Sequence, residues 1–125
     1  MQPPARILVA EDDTEMRNIL KKSLTHEGFL AHTVADGCLA LDRIQAGDAC
    51  DLLITDIQMP GTDGEALLEK ALEIRPDLKV ILITGYGSVE QHAAMMRKGA
   101  VGYVTKPFKI PDLLDVIEDA LAPVN

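Results

Sequence analysis

Hydrophobic and polar positions follow two rhythms along this chain, and the two alternate five times. Short, mostly apolar runs at 5–10, 29–34, 51–55, 80–84 and 101–104 are each followed by a stretch with apolar residues three and four apart. A run without polar alternation is what a strand covered on both faces requires, and three-four spacing marks a helix with one apolar stripe. The first helical stripe is Met16, Ile19, Leu20 and Leu24, closed by Gly28; the second is Leu41 and Ile44, closed by Gly47. The third carries Leu67, Leu68, Ala71 and Leu72 and stops at Pro76. Ser88 and Gln91 have capping-box spacing, so the fourth helix should begin there and end near Gly99. Its expected stripe is Val89, Ala93 and Met96, which leaves Met95 at the edge or exposed. Pro111 fits the first turn of a last helix with Leu113, Leu114, Ile117 and Leu121 inward.

Five strand-helix units predict an α/β fold, a doubly wound parallel sheet flanked by five helices. Right-handed crossovers leave few topologies, and the flavodoxin-like strand order 2-1-3-4-5 is the usual one at this size. In that order the winding reverses between strands 1 and 3, and the site of such folds lies at the carboxyl ends of those strands. The 125 residues fit a single domain, with a core from about 5 to 121, and contain no repeat, linker or low-complexity stretch.

Composition narrows the function. Hydrophobic residues make up 47%, enough for a packed core, yet no apolar run approaches membrane-spanning or signal-peptide length. A cytoplasmic protein is expected. The net charge of −8 repels a polyanion, so direct nucleic-acid binding is not expected. Cys38 and Cys50 lack metal-like spacing and read as small apolar residues; His26, His32 and His92 are scattered and read as surface or packing residues.

The chemistry lies at the strand ends. Strand 1 runs into Glu11-Asp12-Asp13, strand 3 into Asp56, strand 4 into Thr84-Gly85 and strand 5 into Thr105-Lys106-Pro107. All four should meet on one rim of the sheet. Carboxylates crowd together only if something positive joins them. Lys106 supplies one charge, and oxygen-only ligands without His or Cys point to Mg²⁺ rather than zinc. A carboxylate beside Mg²⁺, a lysine and a hydroxyl is a phosphoryl-transfer arrangement, with Lys106 and Thr84 each addressing a phosphoryl oxygen. Asp56, alone on the central strand, is the best nucleophile. Asp13 reads as a helix N-cap rather than a ligand. A bulky side chain in place of Gly85 would block the phosphoryl group, whereas Gly64 need only permit a turn or close helix packing.

At these residues the chain resembles the receiver domains of two-component response regulators, the chemotaxis-regulator fold. The matching pieces are Ile-Leu-Val-Ala-Glu11-Asp12-Asp13, Leu-Leu-Ile-Thr-Asp56-Ile-Gln58-Met-Pro60-Gly-Thr-Asp-Gly64, Ile-Leu-Ile-Thr84-Gly85 and Gly-Tyr103-Val-Thr-Lys106-Pro107-Phe108. The resemblance implies that Asp56 is the phosphoacceptor, that Asp12 binds Mg²⁺ directly and Glu11 through water, and that the backbone carbonyl of Gln58 is a further ligand. It implies that Lys106 pairs with the phosphoryl group beside a cis peptide to Pro107, and that Thr84 and Tyr103 are the hydroxyl and aromatic of the switch. It implies a phosphohistidine donor on a histidine kinase or phosphotransfer protein, and an output partner on the face of helix 4, strand 5 and helix 5. Gln58 and Tyr86 would overhang the phosphoryl group and gate water. The acidic pair is Glu-Asp here, where Asp-Asp is commoner, which can alter Mg²⁺ affinity.

Two other readings share these features. A receiver-like binding module that is never phosphorylated would keep the fold. An aspartate-nucleophile phosphatase of the haloacid dehalogenase type would share Asp56 and Mg²⁺, but it usually carries a second Asp two residues on, where this chain has Gln58. On the favoured reading the protein is not an enzyme but a phosphoacceptor that catalyses only its own phosphorylation and dephosphorylation. The motif Thr84-Gly-Tyr-Gly-Ser88 resembles receivers that precede transcription-activating ATPase modules, so either a stand-alone receiver or a piece of a longer regulator fits.

Overall fold

A computed structural model describes residues 4–59, 63–85 and 89–122. The elements alternate along the chain: β1 (Arg6–Ala10), α1 (Thr14–His26), β2 (Leu30–Val34), α2 (Gly37–Gln45), β3 (Leu52–Asp56), α3 (Gly64–Ile74), β4 (Lys79–Thr84), α4 (Val89–Arg97), β5 (Gly102–Thr105) and α5 (Ile110–Leu121). The strands form one sheet in the order β2-β1-β3-β4-β5, every pairing parallel. This is the flavodoxin-like order, and strand bounds differ from those expected by a residue or so.

Alternate residues of each strand feed two cores. Ile7, Val9, Leu52, Ile54, Ile81 and Ile83 pack with Leu20 and Leu24 of α1 and Leu113 and Ile117 of α5. Leu8, Ala10, Leu53, Val80 and Leu82 pack with Ala40, Leu41 and Ile44 of α2, Leu67 and Leu68 of α3 and Met95 of α4. Covered on both faces, the central β3 is buried at every position. The chain leaves β1 for β2 on one side and returns through α2 to β3 on the other, so the winding reverses between β1 and β3.

Three expectations need correction. Met95 is 3% exposed, whereas Met96 is 39% and Val89 84% exposed. Val89 is the first residue of α4, outside the packed surface; anchoring the stripe on it shifts the inward face by one position, about 100°. Ile19 is 47% exposed, because Leu20 and Leu24 already fill the α1 contact. Cys38 is exposed rather than packed, whereas Cys50 is half-buried and donates to the Leu52 carbonyl at 3.2 Å. Ser88, half of the expected capping box, and Tyr86, the expected gate, lie outside the described residues, as do residues 60–62 of the loop before α3.

Candidate functional site

Ladder hydrogen bonds run past the strand ends and hold the chemical residues on one rim. The Glu11 amide donates to the Val34 carbonyl at 3.1 Å, that of Ile57 to Ile83 at 2.9 Å and that of Lys106 to Thr84 at 2.7 Å. Asp13 caps α1 as expected, its carboxylate accepting from the amides of Glu15 and Met16. From the next turn, Arg17 Nη1 donates to the Glu11 carbonyl at 2.8 Å and reaches that of Asp12 at 3.5 Å. The acidic turn is thereby tied to the helix behind it. No spacing rule singles out Arg17, and the sequence reading passed over it.

Glu11, Asp12 and Asp56 present carboxylate oxygens that all lie within 4.8 Å of one another. Glu11 and Asp56 are buried and Asp12 is exposed, so the cluster opens outward through Asp12. Lys106, joined to Pro107 by a cis peptide, places Nζ 2.6 Å from Asp56 Oδ2 and 3.4 Å from Glu11 Oε1. Asp56 Oδ1 accepts from the Gln58 amide at 2.9 Å, which turns the backbone at Gln58 back over the carboxylate. Thr84 is fully buried at the end of β4, beside Thr105 in the ladder.

Among the described residues, three carboxylates cluster here and one ammonium, that of Lys106, pairs with two of them, Glu11 and Asp56. Burial, and then the charge of Asp56, push the Glu11 carboxyl up to about 7 against the pull of Lys106. Partial burial works against the Lys106 ammonium, yet the hydrogen bond and charge of Asp56, followed by Glu11, hold it above the usual lysine value. An oxygen-only donor set of this kind suits a hard divalent cation.

Gly64 has a role the sequence left open. A methyl there would stand 2.5 Å from the Asp56 carbonyl oxygen and 2.6 Å from the Ile57 Cα. The Gly64 amide donates to the Ile57 carbonyl at 2.8 Å, so α3 starts pressed against the backbone that carries Asp56. Among the described residues, a Cβ at Gly85 would meet nothing within 4 Å. A cavity of about 420 Å³ lies at the opposite rim, lined by Arg6, Leu30, His32, Arg43 and Cys50 among others, away from all of these groups.

A model of the response regulator receiver domain matches residues 7–118. The chain belongs to the response regulator receiver domain family. It is 40% identical over 116 residues to the response regulator receiver protein CpdR of Brucella abortus, covering 93% of this chain and 96% of CpdR. It is also 39% identical over 116 residues to the C4-dicarboxylate transport transcriptional regulatory protein DctD of Pseudomonas aeruginosa, but spans 25% of that protein. Among solved structures, a CheY-like receiver domain protein of Methanospirillum hungatei superposes with a TM-score of 0.87 at 35% identity, covering 93% of this chain and 92% of that one. The response regulator TrrA of Thermotoga maritima, solved in complex with Mg²⁺-BeF, gives 0.83 at 33% identity over 94% of this chain and 99% of its own. The receiver fold is thus shared by short proteins and by one part of longer regulators.

Proposed function

We propose that this receiver takes a phosphoryl group from a phosphohistidine onto Asp56 and relays the change to a protein partner, the whole chain acting as one receiver domain. The observation that carries the reading is Lys106 Nζ bound to Asp56 Oδ2 inside a carboxylate cluster. Glu11, Asp12, Asp56 and the Gln58 carbonyl would hold Mg²⁺. When bound, the ion neutralises charge on the transferred phosphoryl oxygens. The Asp56 carboxylate attacks phosphorus in line; the P–O bond forms as the P–N bond breaks, and its electron pair stays on the donor imidazole. Lys106 stays against the new acyl phosphate, and the Thr84 hydroxyl donates to one of its oxygens. Thr84 moves toward the phosphoryl group and vacates space on the Tyr103 side, so the face of α4, β5 and α5 changes shape for a downstream partner.

The test is intact-mass labelling by acetyl phosphate, with Mg²⁺ and with a chelator. Metal-dependent addition of one phosphoryl group supports the phosphoacceptor reading. A fully folded protein that takes up no label at any Mg²⁺ concentration would be the receiver-like binding module instead. Steady turnover of unrelated phosphate esters would point to the phosphatase.

A further inference from the structure

The Tyr103 side chain is gripped by two neighbours from α4: Gln91, expected from its spacing only as half of a capping box, and His92, expected only as a surface or packing residue. Tyr103 Oη donates to Gln91 Oε1 at 3.0 Å. The exposed His92 ring lies flat on the Tyr103 ring, with centroids 4.6 Å apart and planes within 7° of parallel. The half-buried Tyr103 is thus held at both its hydroxyl and one ring face, by consecutive residues of one helical turn.

We propose that Gln91 and His92 form a clasp that holds Tyr103 in its unphosphorylated position and sets how readily the switch turns over; this rests on the phosphoacceptor reading above. The physical reasoning is linkage. A contact stabilises only the state in which it is made, so a contact confined to the resting position opposes every ligand of the active one. If Tyr103 moves toward the space beside Thr84, its hydroxyl leaves Gln91 and its ring leaves His92. Both groups sit on the surface of a helix that is anchored through Met95, so removing them leaves the core intact. Gln91 and His92 are positioning residues: they touch neither Asp56 nor the carboxylate cluster.

The test compares wild type with Gln91→Ala, His92→Ala and His92→Phe by NMR, with Mg²⁺ and beryllofluoride as the phosphoryl mimic. An aromatic stack and a half-exposed hydrogen bond are each worth enough to tighten beryllofluoride binding by about 3- to 10-fold when removed. His92→Phe keeps the stack and should restore wild-type affinity. In the unliganded proteins, the χ1 couplings of Tyr103 should show one rotamer in wild type and averaging in the two Ala variants. Identical Tyr103 couplings in wild type and both Ala variants would overturn the clasp, whatever the mimic does. A wild type that ignores beryllofluoride would instead count against the phosphoacceptor reading, while the couplings still decide the clasp.

Discussion

Replacing Glu11 by Gln should stabilise the metal-free protein at neutral and alkaline pH. Glu11 is 2% exposed, and burial together with Asp56 raises its carboxyl from 4.5 to about 7. An acid whose folded pKa lies above its unfolded value holds its proton more tightly in the folded chain. Its contribution is therefore fully present below about pH 4.5 and is lost as pH rises through about 7. At about 1.4 kcal/mol per tenfold change, the loss is about 3 kcal/mol near pH 8, about 1 kcal/mol near pH 5 and close to nothing near pH 4. Gln has the same shape and cannot ionise, so the difference between the two proteins reads Glu11 together with its coupling to Asp56 and Lys106. Urea unfolding in chelator should show Glu11→Gln more stable by about 2–3 kcal/mol near pH 8, with the two proteins converging on acidification. Added Mg²⁺ should then narrow the gap at high pH by as much as it binds wild type more tightly than the variant, up to about 2.7 kcal/mol at a hundred times the wild-type dissociation constant if the variant does not bind it. A variant no more stable than wild type near pH 8, or a gap that persists at pH 4, would refute the reasoning.

Asp12→Ala should fold normally, since Asp12 is exposed, but weaken Mg²⁺ by more than tenfold in calorimetry, at least the effect of losing an outer-shell partner. Gly64→Ala should destabilise by about 3 kcal/mol or more in denaturant, because the clash is with the backbone of Asp56 and Ile57, which cannot rotate away. Met95→Ala should lose about 2–5 kcal/mol and Met96→Ala less than about 0.5 kcal/mol, and thermal melts of the pair would check the phase of α4.

The sheet and the site were legible for one reason: they rest on order along the chain. Mostly apolar runs identified the strands, the strand order followed from right-handed crossovers, and Glu11, Asp12, Asp56, Thr84 and Lys106 each follow or end a run. Parallel strands must deliver those residues to the same rim, so no side-chain geometry was needed to group them. What the sequence hid depends on rotation and distance instead. The phase of α4 was off by one residue because a short helix offers few apolar positions to average over, and Val89 is apolar yet exposed. For Gly64 a turn and close helix packing were equally open, and only the Asp56 carbonyl beside it decides for packing. The grip of Gln91 and His92 on Tyr103 spans two elements, and Arg17 reaches back from α1 to the Glu11 carbonyl; a polar residue on a helix surface carries no mark of such a partner.

The central claim is that one carboxylate, that of Asp56, receives the phosphoryl group, and it is tested most directly by locating the label. Wild type and Asp56→Asn are incubated with acetyl phosphate and Mg²⁺, reduced with borohydride to trap an acyl phosphate, and mapped by peptide mass. The expected result is a single modified peptide in wild type with the reduced residue at position 56, and no modified peptide in Asp56→Asn. Labelling of Asp56→Asn to the wild-type extent, or a label in wild type on any other residue, would contradict it.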